Sequence, residues 1–217
     1  MDCNDLGEWP LATGGLETHR LNCNGSTHPW RTRNARNYMP RERTYLRYQV
    51  YKSQARKQAG ITFAKLQEDL LQQGVVDVDH SRVRFEAIDA PALVAYEEWF
   101  DPHFSWQEVV RWKAKEPLGF DLAIWFDQEL CGLCFANPNQ SRLRVKIVRL
   151  EGKPGNDHPL KSRVATFALT AVSHFARIIG STQIEIQEPL PGVISLYRQL
   201  GFEFDSEGRL VKAIDQG

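Results

Sequence analysis

From residue 152 to residue 164 the chain reads Gly-Lys-Pro-Gly-Asn-Asp-His-Pro-Leu-Lys-Ser-Arg-Val, a loop that opens a helix. The first turn of a helix leaves backbone N–H groups without partners, and such a terminus suits a phosphate or pyrophosphate. Lys161 and Arg163 add positive charge there. A second candidate is Cys131-Gly132-Leu133-Cys134. Zinc would require another ligand pair at comparable spacing, and none follows. A redox CxxC opens a helix after a strand, whereas this one lies in an apolar run after a turn. Core packing on a strand is the expectation. The third feature is a charge block. Residues 31–57 hold nine Lys and Arg residues against one acid, Glu42, in a chain of net charge zero. Trp30, Tyr38, Tyr45, Tyr48 and Tyr51 interleave with them. Cations pair with phosphates and rings stack on bases, so nucleic acid is one partner to expect for residues 31–57. A solvated arm, or one docked on the chain's own acidic surface, is the other reading.

The elements that would hold these residues follow from periodicity. Residues 1 to about 40 show no apolar period. Two helices are expected near Arg43–Gln58 and Ile61–Gln73, each stopping close to a glycine, Gly60 or Gly74. After Ser81 a strand is expected over Val83–Ile88, then helices over Ala90–Phe100 and Ser105–Lys115, the second opened by a capping box of Ser105 and Glu108. Phe120, Leu122, Ile124 and Phe126 alternate as a strand and pair with Leu130–Ala136 across a turn. In the next strand, Leu143–Glu151, Leu143, Val145 and Ile147 share one face. Beyond Ile147 the phase slips by one, so that Val148 and Leu150 become the apolar set. A β-bulge produces such a slip and frees backbone groups for other partners. A helix over Leu160–Ile179, a strand at Ile184 and Ile186, a helix over Val193–Leu200 and two short strands complete the chain. We expect residues 1–80 to form a basic, partly helical extension and residues 81–217 an α/β domain. No apolar run reaches the ~18 residues of a membrane span. The acidic start (Asp2, Asp5, Glu8) does not resemble a secretory signal. The expectation is a cytoplasmic protein without membrane attachment.

The element order from Val83 to Ile214 resembles the GNAT family of acetyl-CoA-dependent N-acetyltransferases. Two signatures support the likeness: Leu150-Glu151-Gly152 through Val164, similar to the family's pyrophosphate loop, and Ser195-Leu196-Tyr197-Arg198-Gln199-Leu200-Gly201-Phe202, similar to its final-helix motif. The resemblance implies a mixed central sheet splayed between its fourth and fifth strands. Pantetheine would pair with the bulge at Val148 and Leu150, and pyrophosphate would sit on amides of Leu160, Lys161, Ser162, Arg163 and Val164. It implies acetyl-CoA as acyl donor, no metal, and direct attack by a primary amine. Tyr197 then becomes the acid that reprotonates the leaving thiolate, since a phenol of pKa near ~10 carries its proton at neutral pH. Glu151 and Glu188 are the carboxylates placed to accept the ammonium proton; His158 is a poorer candidate because it precedes the phosphate loop. The sequence departs from the family where its loop has glycines: Ser162 or Arg163 stands at the first and Val164 or Ala165 at the second.

The family's acceptor wall would here contain Glu97, Glu98, Trp99, Phe100, Asp101, His103, Phe104, Trp106 and Trp112. Aromatic faces with carboxylates suit a cationic amine. The acceptor itself, whether protein, peptide or small molecule, is not written in the sequence. A non-catalytic acyl-CoA- or partner-binding module, nucleic-acid-associated through its basic arm, is the alternative function. Homodimerisation through sheet edges is a further expectation.

Overall fold

A single helix, α1 (Arg41–Gln72), stands where two were expected. Tyr48, Lys52, Ala55, Ala59 and Phe63 recur at spacings of three and four and are all buried, which makes one continuous helical face. That packing outweighs the roughly 1 kcal/mol that Gly60 costs inside a helix. The computed structural model describes residues 41–75, 78–155 and 157–215, with side chains described from residue 44 onward. All of these belong to the unit Met39–Gly217. Arg31, Arg33 and Arg36 of the basic block, like everything expected of residues 1–40, lie outside the described residues.

The other elements are β1 (Val83–Glu86), α2 (Ala90–Glu97), α3 (Trp106–Lys115), β2 (Phe120–Phe126), β3 (Glu129–Pro138), β4 (Arg144–Gly152), α4 (Val164–Ile178), β5 (Gln183–Ile186), α5 (Ile194–Gln199), β6 (Glu203–Phe204) and β7 (Leu210–Ala213). They build one seven-stranded sheet in the order β1-β2-β3-β4-β5-β7-β6. Only the β4–β5 pair is parallel; every other pair is antiparallel. This is the GNAT-like mixed sheet expected from the resemblance. Helices cover both faces. Phe120, Leu122 and Ile124 of β2 join the core beneath α1 and α4, while Ala123 and Trp125 join a second core with α2 and α3. Cys131 and Cys134 are buried free thiols in β3, as core packing requires. No described helix is long and apolar enough to cross a membrane.

Two local expectations are corrected. Ser105 makes no capping hydrogen bond to the first turn of α3, so the capping box does not form. The helix expected from Leu160 begins at Val164 instead. Ser162 takes a φ of 63°, in the left-handed region, and the amides of Lys161 and Arg163 close turns onto His158 and Leu160. A serine in that conformation cannot lie within a right-handed helix. Close packing sets where α4 begins over the sheet. A Cβ on Gly132 would come within 2.3 Å of Val164 Cγ1, and one on Gly152 within 3.4 Å of Val164 Cγ2.

Candidate active site between the fourth and fifth strands

The bulge inferred from the slip in hydrophobic phase is present. Phe135 of β3 pairs with Arg149 and Ala136 with Ile147, leaving Val148 as the extra residue. Val145 and Ile147, before the bulge, pack under α1 and α4, as does Leu150 after it. Val148 packs with the α2–α3 core. Arg149 and Glu151 also reach that side: the guanidinium of Arg149 lies over Phe104 and Trp112, and Glu151 meets Trp106.

Pairing between β4 and β5 stops at Ile147 and Ile186, the last bond running from Gln187 N–H to the Ile147 carbonyl. Beyond it the strands part. A cavity of about 440 Å³ fills the gap, lined by His103, Phe104, Ile147 to Gly152, Ile186 to Leu190, Val193 and Tyr197. A second cavity of about 300 Å³ lies toward the start of α4, lined among others by Lys153, His158, Lys161, Ser162, Val164 and Ala165. Leu150, Gly152, Val193 and Tyr197 line both. The two spaces therefore meet at Tyr197.

Of the three residues expected to be catalytic, all line the first cavity, in different states. Tyr197 is buried against Phe202, and burial, with the Cys134 thiol as a lesser cause, pushes its phenol up to about 12. Glu151 is buried, and its oxygens accept hydrogen bonds from the His103 amide and from Trp106 Nε1, the latter at 2.8 Å. It therefore anchors the loop between α2 and α3 to β4. Glu188 is exposed and sits at a φ of 48°. A non-glycine residue in the left-handed region stores local strain, and such strain concentrates at functional sites.

The residues expected at the cofactor divide similarly. Val148 and Leu150 lie where β4 has lost its β5 partner, so backbone groups beyond Ile147 are open to the gap. The side chain of Leu160 is fully buried in the core. Lys161 and Arg163 use their amides in turns, as above, and Lys161 Nζ donates to the Gly155 carbonyl at 2.9 Å. Among the described residues no backbone carbonyl accepts from the amides of Ser162, Val164, Ala165 or Thr166. Those four N–H groups with Lys153 and Lys161 nearby fit a phosphate group. Lys153 pairs with Glu129 at 2.7 Å. His158 is buried, its Nδ1 has no hydrogen-bond partner, and desolvation lowers its pKa. No group of three His, Cys, Asp or Glu among the described residues is arranged to hold a metal ion.

Two features were not assigned from sequence. Arg149 is one; its only signal was the phase slip that turns it toward α2 and α3. The other is a buried cluster around Asp121 at the start of β2. Arg56 Nη2 reaches Asp121 Oδ1 at 3.1 Å, and Lys113 Nζ and the Ile88 amide reach Oδ2 at 2.6 and 2.8 Å. Lys52 is buried beside them, donates to the Pro117 carbonyl at 3.0 Å, and is lowered to about 8 by desolvation. Part of the basic block thus docks α1 onto the sheet.

No protein-family model matches the sequence, and no curated protein matches it. Solved structures do resemble the fold. The ribosomal-protein-S18-alanine N-acetyltransferase of Escherichia coli is 11% identical, with 62% of this chain and 96% of that one covered at a TM-score of 0.47. An acetyltransferase of Bacillus subtilis in complex with CoA is 18% identical, covering 61% and 99% at 0.46. A GNAT family acetyltransferase of Elizabethkingia anophelis with acetyl-CoA bound is 12% identical, covering 62% and 98% at 0.46.

Proposed function

We propose that the protein is an acetyl-CoA-dependent N-acetyltransferase that acts on a primary amine. One observation carries the reading: two cavities of different chemistry meet at Tyr197, in a gap opened by the β4 bulge. Toward α4 the lining offers lysines and helix-start amides for a phosphate. The larger cavity offers Glu188 on its β5 side, and Phe104 with Arg149 on the side of α2 and α3. The sequence signatures at residues 150–164 and 195–202 support the same reading. Open backbone at Val148 and Leu150 would hold the pantetheine amides, and Ser162, Val164 and Lys161 the pyrophosphate.

When bound, acetyl-CoA supplies an activated acyl group. The chain's own groups then move protons. Glu188 takes the proton that the acceptor ammonium must lose before its nitrogen can attack. Tyr197, whose phenol stays protonated to about pH 12, gives its proton to the departing sulfur. Glu151 is committed to His103 and Trp106, so its role in this reading is to hold the acceptor wall in place.

The test is a melting-temperature shift with CoA and acetyl-CoA, followed by thiol release in the presence of amines. A saturable upward shift together with amine-dependent thiol release is expected. A CoA-induced shift without thiol release for any amine would leave a non-catalytic acyl-CoA-binding module as the function, and a Tyr197→Phe variant that keeps the full rate would remove Tyr197 as the acid.

A further inference from the structure

We propose that the acceptor bears a carboxylate beside its amine, and that Arg149 receives it. The inference rests on the transferase reading and names the substrate class of that site. Without the bulge, Arg149 would share the face of Val145 and Ile147 and point into the core under α1 and α4. The extra residue at Val148 turns it to the opposite face, in the wall of the larger cavity. There its guanidinium carbon lies 4.7 Å from the Phe104 ring centre and 5.6 Å from that of Trp112.

Two consequences follow. The ring faces that would attract a cationic amine are taken by a residue of the chain itself. A polycationic acceptor entering here would meet a guanidinium instead of an empty aromatic cage. The guanidinium is also short of partners. Arg149 donates to the neighbouring Val148 carbonyl at 3.1 Å, and among the described residues it forms no ion pair. Five N–H donors in a planar fork suit a carboxylate, and the stacked rings fix the plane of that fork.

The cavity's carboxylates do not satisfy Arg149. Glu151 is held by His103 and Trp106, and Glu188 is exposed on the β5 side. Arg149 and Glu188 give the cavity walls opposite charge. That pattern matches a zwitterion, with its ammonium toward Glu188 and its carboxylate toward Arg149. A volume of about 440 Å³ lies in the range of small-molecule sites. A free amino acid or an amino-acid-like amine has this chemistry, whereas a polyamine or a neutral peptide terminus does not.

The experiment measures binding to the CoA-loaded protein by calorimetry, and thiol release from acetyl-CoA, for matched sets. Each set is a free amino acid, its amide and its decarboxylated amine, run across the twenty amino acids. In at least one set the acid should bind roughly ten- to a hundred-fold tighter than its amide, as a charged hydrogen bond commonly provides. Arg149→Gln should erase that difference while the CoA-induced melting shift persists. Arg149→Glu should reverse the order in favour of the decarboxylated amine. Equal binding of acid, amide and amine in every set overturns the proposal, as does tighter binding of the amine by the wild type. Acid-selective binding without thiol release would sustain the anion subsite and remove the transferase reading instead.

Discussion

At the scale of single residues, two groups displaced from their ordinary ionisation do different work. Tyr197 has its phenol raised to about 12 by burial at the junction of the two cavities. A donor of that pKa is fully protonated over the whole physiological range. Loss of the hydroxyl removes the proton and leaves the ring packing against Phe202 intact. We expect Tyr197→Phe to lower kcat about 10²-fold or more with an unchanged CoA-induced melting shift. Lys52 is displaced in the opposite sense, from 10.5 to about 8, with desolvation as the main cause. Between about pH 8 and 10.5 the unfolded chain binds a proton at this position that the folded chain does not. By linkage, stability at this site rises with pH across that window and carries its full penalty below pH 8. The difference between 10.5 and about 8 corresponds to about 3 kcal/mol at this site. Lys52→Met should therefore melt higher than the wild type at pH 7, and the difference should narrow as pH rises from 8 to 10.5. Comparing the two proteins cancels the opposing effect of Cys131, whose thiol is raised to about 11. A constant difference at all pH values would show that Lys52 is not buried as a cation.

At the scale of elements, the site depends on two departures from regular geometry: the bulge in β4 and the left-handed residue before α4. Ser162 adopts a φ of 63° that glycine takes without strain. Ser162→Gly should stabilise the protein by about 0.5–1 kcal/mol, since relief of the left-handed strain is partly cancelled by glycine's greater unfolded-state freedom. In a chain of this size that is a rise of about 1–4 °C in Tm. Gly132→Ala should act in the opposite direction. Its methyl would meet Val164 Cγ1 at 2.3 Å, and valine is stiff about χ1, so the start of α4 must shift. A loss of about 1–3 kcal/mol is expected from urea titration, with a smaller CoA-induced shift. The bulge was legible in the sequence because the apolar alternation of Val145 and Ile147 changes to Val148 and Leu150. The close approach at Gly132 was not, because it depends on Val164, which is 32 residues away. Nor was the continuity of α1: Gly60 reads locally as a stop, and only its burial partners on the sheet and α4 override that signal. Arg149 was readable as one of the polar residues of β4, but its task depends on rings contributed by α3 and the loop before it.

At the scale of the whole molecule, α1 joins the layers that frame the gap. Tyr48 packs edge-on against Phe175 of α4, and Phe63 sits 4.3 Å, centre to centre, from Phe167 of the same helix. Arg56 meanwhile bonds the Asp121 carboxylate and backbone carbonyl at the start of β2. One helix therefore holds both the element whose first turn faces the smaller cavity and a strand two places from β4. Asp121 is the pivot of this arrangement, because its carboxylate is the acid that Arg56 and Lys113 share. Replacing it with asparagine leaves those cations beside Lys52 without their counter-charge in a buried setting, and breaking a buried pair in this way costs about 3–5 kcal/mol. Arg56→Gln should cost less, since Lys113 and the Ile88 amide still satisfy the acid. We therefore expect Asp121→Asn to melt well below Arg56→Gln, and both below the wild type. Cutting the chain to residues 81–217 should be more damaging than either substitution. It would expose Phe167, Phe175 and Phe120 at once and remove the partner of Asp121 that comes from α1. A truncated chain that retained a cooperative melt and the CoA-induced shift would show that the sheet, α4 and the gap are held without α1.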